Sequence, residues 1–210
     1  MQLEAALKKM PLIAILRGIT PDQAVAACAA LVESGILAIE TPLNSPRAVD
    51  SIERMAARYS KDAAIGAGTV LTTDDVRAVN GAGAVFTVAP NTDATVIGAA
   101  TDAGLTPMPG IATATEAFIA LQSGARLLKL FPADCLGCGY LKALKAVLPD
   151  HAAVFAVGGM VERNLAKWIA AGAAGFGIGS PLYRPGDDVN AISRRAAAFV
   201  KQYRSIRTER

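Results

Sequence analysis

The chain of 210 residues carries 21 basic against 18 acidic side chains, is 52% apolar and 19% charged, and holds one histidine, His151. That balance excludes a disordered chain and the strongly basic footprint of a nucleic-acid or membrane-surface protein, and 5% aromatics leave little for base stacking. With a single imidazole, a zinc centre of two or three histidines is impossible, and a Ser-His-Asp triad would have to use His151.

In chain order, an amphipathic start over residues 1–10 precedes a repeating unit. Short apolar runs predict strands at 12–16, 36–40, 63–70, 84–88, 105–109, 125–131, 152–159 and 173–179. Helical patterns fall between them at about 21–34, 46–59, 73–81, 92–103, 113–123, 139–148, 161–171 and 188–206. Five of these helices run into a small residue plus glycine, at Gly35, Gly83, Gly104, Gly124 and Gly172, each of which reads as a helix stop feeding a strand. The strands are continuously apolar, as a parallel sheet covered on both faces requires. Eight strand–helix units predict an α/β protein of the (β/α)8 TIM-barrel class with a short extra N-terminal helix, in one domain spanning 1–210. An open doubly wound sheet is the alternative.

No signal peptide is expected at Met1-Gln2-Leu3-Glu4, and the longest uncharged run, Trp168 to Tyr183, is broken by four glycines and a proline. The expected location is cytoplasmic, with no membrane or nucleic-acid partner. Cys28, Cys135 and Cys138 do not make a disulfide framework. Cys135 and Cys138 form a C-x-x-C pair that is either a redox motif or a bystander, and zinc would lack further ligands there.

Active sites of such barrels lie at the C-terminal strand ends. Those ends read Arg17, Glu40, Thr69, Asn91, Lys129, Gly158-Gly159 and Gly179-Ser180, whereas His151 falls at the opposite face as a structural residue. Lys129 interrupts the apolar run Leu127-Leu128-Lys129-Leu130-Phe131 and shares a strand face with Leu127 and Phe131. Burial lowers an amine's pKa and equips it to condense with a carbonyl. The same residue type also suits a lysine that snorkels past the strand end or pairs with Glu40. Glu40 is the best general acid–base on offer, or a salt-bridge partner of Arg17 or Lys129. Arg17 suits a carboxylate or phosphate, Thr69 offers a hydroxyl, and the two glycine loops fall where these barrels bind phosphate.

Eight segments together carry a resemblance: LIAILRGITP (12–21), AIETPLNSP (38–46), IGAGTVL (65–71), PGIATATEAF (109–118), LLKLFPA (127–133), YLKALKAVLP (140–149), FAVGGM (155–160) and GIGSPLYRPG (177–186). The chain resembles the 2-keto-3-deoxy-6-phosphogluconate/galactonate aldolase family over nearly its whole length. The resemblance implies a homotrimeric barrel working by Schiff-base chemistry without metal or other cofactor on a phosphorylated keto acid. It makes Lys129 the Schiff-base residue and Glu40 the proton shuttle. Arg17 and Thr69 would hold the keto-acid end, and Gly159, Gly179 and Ser180 the phosphate. The gluco-type members carry T-L-R-T where this chain has Pro42-Leu43-Asn44-Ser45, which leaves Arg17 to replace the missing arginine. They carry threonine where this chain has Val157, a position the resemblance ties to C4 stereoselectivity, so both departures point to a galacto substrate. A gluco-type or dual-specificity aldolase is the first alternative, and a phosphosugar isomerase and a catalytically silent keto-acid sensor on the same barrel are the other readings.

Overall fold

The computed structural model describes residues 1–208. Its strands are β1 (Leu12–Ile15), β2 (Ala38–Pro42), β3 (Ala64–Gly68), β4 (Phe86–Val88), β5 (Thr106–Met108), β6 (Gly110–Ile111), β7 (Leu127–Leu130), β8 (Ala153–Val157) and β9 (Gly175–Ile178). They pair in parallel in the order β5-β4-β3-β2-β1-β9-β8-β7-β6. No strand is inserted out of turn, so the doubly wound alternative fails.

The ninth strand comes from a break. The fifth predicted strand, 105–109, is divided at Pro109 into β5 and β6. Proline has no N–H to donate to a ladder. Ala89 and Gly110 donate to the carbonyls of Met108 and Asn91, which ties this run to β4 and its loop. On the other side Lys129 and Phe131 donate to Pro109 and Ile111. One interrupted run thus closes the ring.

The helices are α1 (Leu3–Lys9), α2 (Pro21–Ser34), α3 (Ala48–Tyr59), α4 (Thr73–Gly81), α5 (Ala94–Asp102), α6 (Ala114–Gln122), α7 (Ala133–Lys145), α8 (Leu165–Ala170, entered through a single 3-10 turn at Glu162–Asn164) and α9 (Val189–Thr208). Gly35, Gly83, Gly104, Gly124 and Gly172 follow their helices with φ between +76° and +104°, so the five stop signals are real. Helix α7 departs from expectation: it starts at Ala133, six residues before the predicted 139, and is kinked at Gly137 (φ 85°, ψ 162°). Gly137 disrupts the apolar period and hides the first turn. Cys135 and Cys138 flank that kink as free thiols.

Two apolar cores follow from the strand alternation. Leu128 and Leu130 face outward with the helices, whereas Ile13, Ala38, Ala64, Phe86, Met108 and Phe155 fill the barrel interior. Phe86 and Phe155 lie over Gly66 and Gly175, where any Cβ would overlap the rings. Helix α1 belongs to this inner core through Leu3, Ala6 and Leu7, so it plugs the N-terminal end of the barrel. Among the described residues, no helix is long and apolar enough to cross a membrane.

Candidate active site

Above Phe86 and Phe155 the interior changes character. Glu40, at the centre of β2, is 2% exposed, and Lys129, third in β7, is 6% exposed. The inward alternation of β7 brings Leu127, Lys129 and Phe131 to one face, as expected, and Lys129 Nζ stands 4.8 Å from the centre of the Phe131 ring. Both Glu40 and Lys129 line a small apolar cavity with Ile13, Ile15, Met108, Val157 and Gly177. No ion pair joins them, and Oε2 of Glu40 is buried without a hydrogen-bond partner. The structural salt bridge is therefore not formed. A buried acceptor left unsatisfied costs about 1–3 kcal/mol, a cost that folded cores seldom carry away from working sites.

Burial sets the protonation of both groups. It pushes the Glu40 carboxyl up to about 7, against the opposing pull of the Lys129 and Arg17 charges. It lowers the Lys129 pKa, with Glu40 opposing and Arg17 reinforcing the effect. Near neutral pH the pair thus consists of an amine with increased access to its free-base form and a carboxyl poised to exchange a proton. Gly68, at the end of β3, makes room for that carboxyl: a Cβ there would overlap Oε2 of Glu40.

Over this pair opens a cavity of about 620 Å³. Arg17, Lys129, Val157, Gly159, Gly179 and Ser180 all line it, so six of the predicted site residues share one space. Arg17 is oriented by the β2 loop, its Nη1 donating to Asn44 Oδ1 at 2.8 Å, while the Gly18 N–H donates to Ser45 Oγ at 2.9 Å. Arg17, in the turn after β1, therefore reaches the loop where the gluco-type pattern has its own arginine. Val157 closes the wall against Gly177, whose Cβ position lies 2.8 Å from Val157 Cγ2.

Two predicted residues sit apart. Thr69 directly follows β3 with φ +57°, a left-handed conformation that costs a β-branched residue of order 1–3 kcal/mol, and it lines neither cavity. Asn91 also lies outside both; its backbone carbonyl accepts from Gly110 at the barrel seam. The sequence reading passed over Tyr183 and Arg184, which line the main cavity beyond β9. The available signal was GIGSPLYRPG, which puts a cation four residues past Ser180. His151 is exposed in the turn before β8, away from the mouth.

The family model "Aldolase: KDPG and KHG aldolase" matches residues 3–194. The chain is 54% identical over 196 residues to the 2-dehydro-3-deoxy-6-phosphogalactonate aldolase of Escherichia coli K12, covering 93% of this chain and 96% of that one. It is 44% identical to a probable 2-dehydro-3-deoxy-6-phosphogalactonate aldolase of Rhizobium meliloti, covering 93% and 92%. A solved structure described as "Native KDPGal structure" superposes with a TM-score of 0.94 at 52% identity, covering 95% and 97% of the two chains.

Proposed function

The chain belongs to the KDPG and KHG aldolase family, and from that premise we propose that it cleaves 2-dehydro-3-deoxy-6-phospho-D-galactonate to pyruvate and D-glyceraldehyde 3-phosphate through a Schiff base on Lys129. The observation that carries this reading is the buried amine of Lys129, its pKa lowered, sharing an apolar cavity with the proton-exchanging carboxyl of Glu40.

The free amine of Lys129 attacks the C2 ketone, and Glu40 supplies the proton with which the carbinolamine loses water. The resulting iminium is an electron sink. Glu40 takes the C4 hydroxyl proton, the C3–C4 bonding pair moves to C3 as the enamine, and the aldehyde leaves. Glu40 returns a proton to C3, and water hydrolyses the iminium to pyruvate and free Lys129. Arg17, held by Asn44, pairs with the substrate carboxylate. The N–H groups of Gly159, Gly179 and Ser180 hold the phosphate. Val157 presents methyl groups where a hydroxyl would otherwise approach C4, which favours the galacto epimer.

Borohydride added with pyruvate is expected to fix a stable adduct on Lys129, read by peptide mass. Absence of that adduct, or its persistence in Lys129→Ala, overturns the reading. The family resemblance also supports a homotrimer, to be read by light scattering, and a single barrel domain working in the cytoplasm.

A further inference from the structure

Three cations line the main cavity, Arg17, Lys129 and Arg184, and no carboxylate does. Arg17 and Lys129 have places in the reaction above, whereas Arg184 has none. It belongs to the strap that leaves β9 through Gly179 and Ser180, and that strap is firmly built. The Arg184 N–H donates to Asp187 Oδ2 at 2.7 Å, and the Asp187 N–H returns to the Arg184 carbonyl at 3.0 Å. The Asp187 carboxylate makes its ion pair with Arg195 and feels the Arg184 charge only without a side-chain contact, so the Arg184 terminal nitrogens stay free of it. On its other side the strap presses on the Arg17 loop: a Cβ at Gly18 (φ +83°) would stand 2.7 Å from Pro185 Cγ. The two loops that carry the two arginines are therefore packed against each other.

The Arg184 side chain is aimed by its own backbone neighbour. Its Nε donates to the Ser180 carbonyl at 3.1 Å, and its terminal nitrogens have no hydrogen-bond or ion-pair partner among the described residues. A guanidinium held through Nε offers its Nη groups to whatever occupies the glycine loop. A phosphate dianion presents oxygens that match that planar fork, and fixed loop N–H groups alone supply no net charge to meet it.

We propose that Arg184 is a substrate-binding residue that pairs with the phosphate end of the substrate and sets the preference for phosphorylated over non-phosphorylated 2-keto-3-deoxy acids. This rests on the aldolase reading. Arg17 and Arg184 then form a matched pair, one for each anionic end, joined through the Gly18–Pro185 contact.

The experiment compares kcat/KM for the 6-phosphorylated keto acid with kcat/KM for its non-phosphorylated counterpart, in the wild type, Arg184→Ala and Arg184→Lys. Arg184→Ala is expected to lower the ratio of the two at least about tenfold, mostly through KM for the phosphorylated compound, the weight of one solvent-accessible charge-assisted contact. Competitive inhibition by inorganic phosphate should weaken by a similar factor, and Arg184→Lys should fall between, since it keeps the charge and loses the Nε anchor. A ratio within about twofold of the wild type, whether both activities fall together or neither does, overturns the proposal and leaves Arg184 as a tie within the strap. A wild type that releases no pyruvate from either compound overturns the aldolase reading and this proposal with it.

Discussion

The two ends of the barrel interior are built from the same parallel strands and have opposite contents. At the N-terminal end, Phe86, Phe155, Ile13 and the Leu3 and Leu7 side chains of α1 fill the space with apolar atoms. At the other end a cavity of about 620 Å³ stays open, edged by two arginines, with a buried lysine and an unsatisfied carboxylate beneath it. Register explains how one strand serves both: Phe155 stands beside Lys129 across the β7–β8 ladder, at the level where the packing turns from apolar to polar. The lower half of the barrel supplies stability, and the upper half gives some of it up to hold reactive groups away from water.

That contrast can be broken at its strongest point first. Lys129→Ala is expected to cost pyruvate release at least about 10³-fold, because no other residue can form the imine. The melting temperature should not fall, since the change removes a buried charge without an ion-pair partner. A clear loss of stability would mean that Lys129 is part of the scaffold.

Glu40→Gln comes next, with a loss of about 10²–10⁴-fold in kcat, the span for a lost general acid–base. It also tests the electrostatics. Because the Glu40 pKa is raised in the folded state, from an ordinary 4.5 to about 7, the folded protein holds the proton more tightly than the unfolded chain. This group's contribution to stability is complete below its ordinary pKa and is lost as pH rises through about 7. Denaturant midpoints of wild type and Glu40→Gln measured across that interval should diverge as pH rises, with the variant the more stable at pH 8; parallel curves would contradict the burial of the charge.

At the lower end, Phe86→Ala should cost about 3–5 kcal/mol in chemical denaturation, the range for emptying a buried aromatic site, while kcat/KM of the folded fraction changes little. A comparable loss of catalysis at conditions where the protein is folded would show that the two ends are not separable. The smallest expected effect is at the wall: Val157→Thr should shift the galacto-to-gluco preference by about 1–3 kcal/mol, measured as pyruvate release from the two C4 epimers. An unmoved ratio would remove Val157 from the specificity argument.

Much of this was legible because it is local. Glycine stops and apolar runs report single elements, and a lysine inside Leu127-Leu128-Lys129-Leu130-Phe131 declares its oddity within five residues. What escaped depends on distant partners or on breaks in a period. Gly137 masked the first turn of α7, and Pro109 split a strand that reads as continuous. Arg184 looks like any surface arginine until Ser180, Asp187 and Pro185 are seen to hold it. Likewise the choice between a Glu40–Lys129 ion pair and two separate buried groups turns on side-chain geometry that residue identity does not contain.

The interruption at Pro109 gives the barrel one short stave. Only Gly110 and Ile111 register β6 against β7, facing Lys129 and Leu130, and β3 and β4 are likewise matched at two positions, whereas β2 and β3 are matched over five. A hoop is weakest at its thinnest joints, and one of the two thinnest here runs along the edge of the strand that carries Lys129.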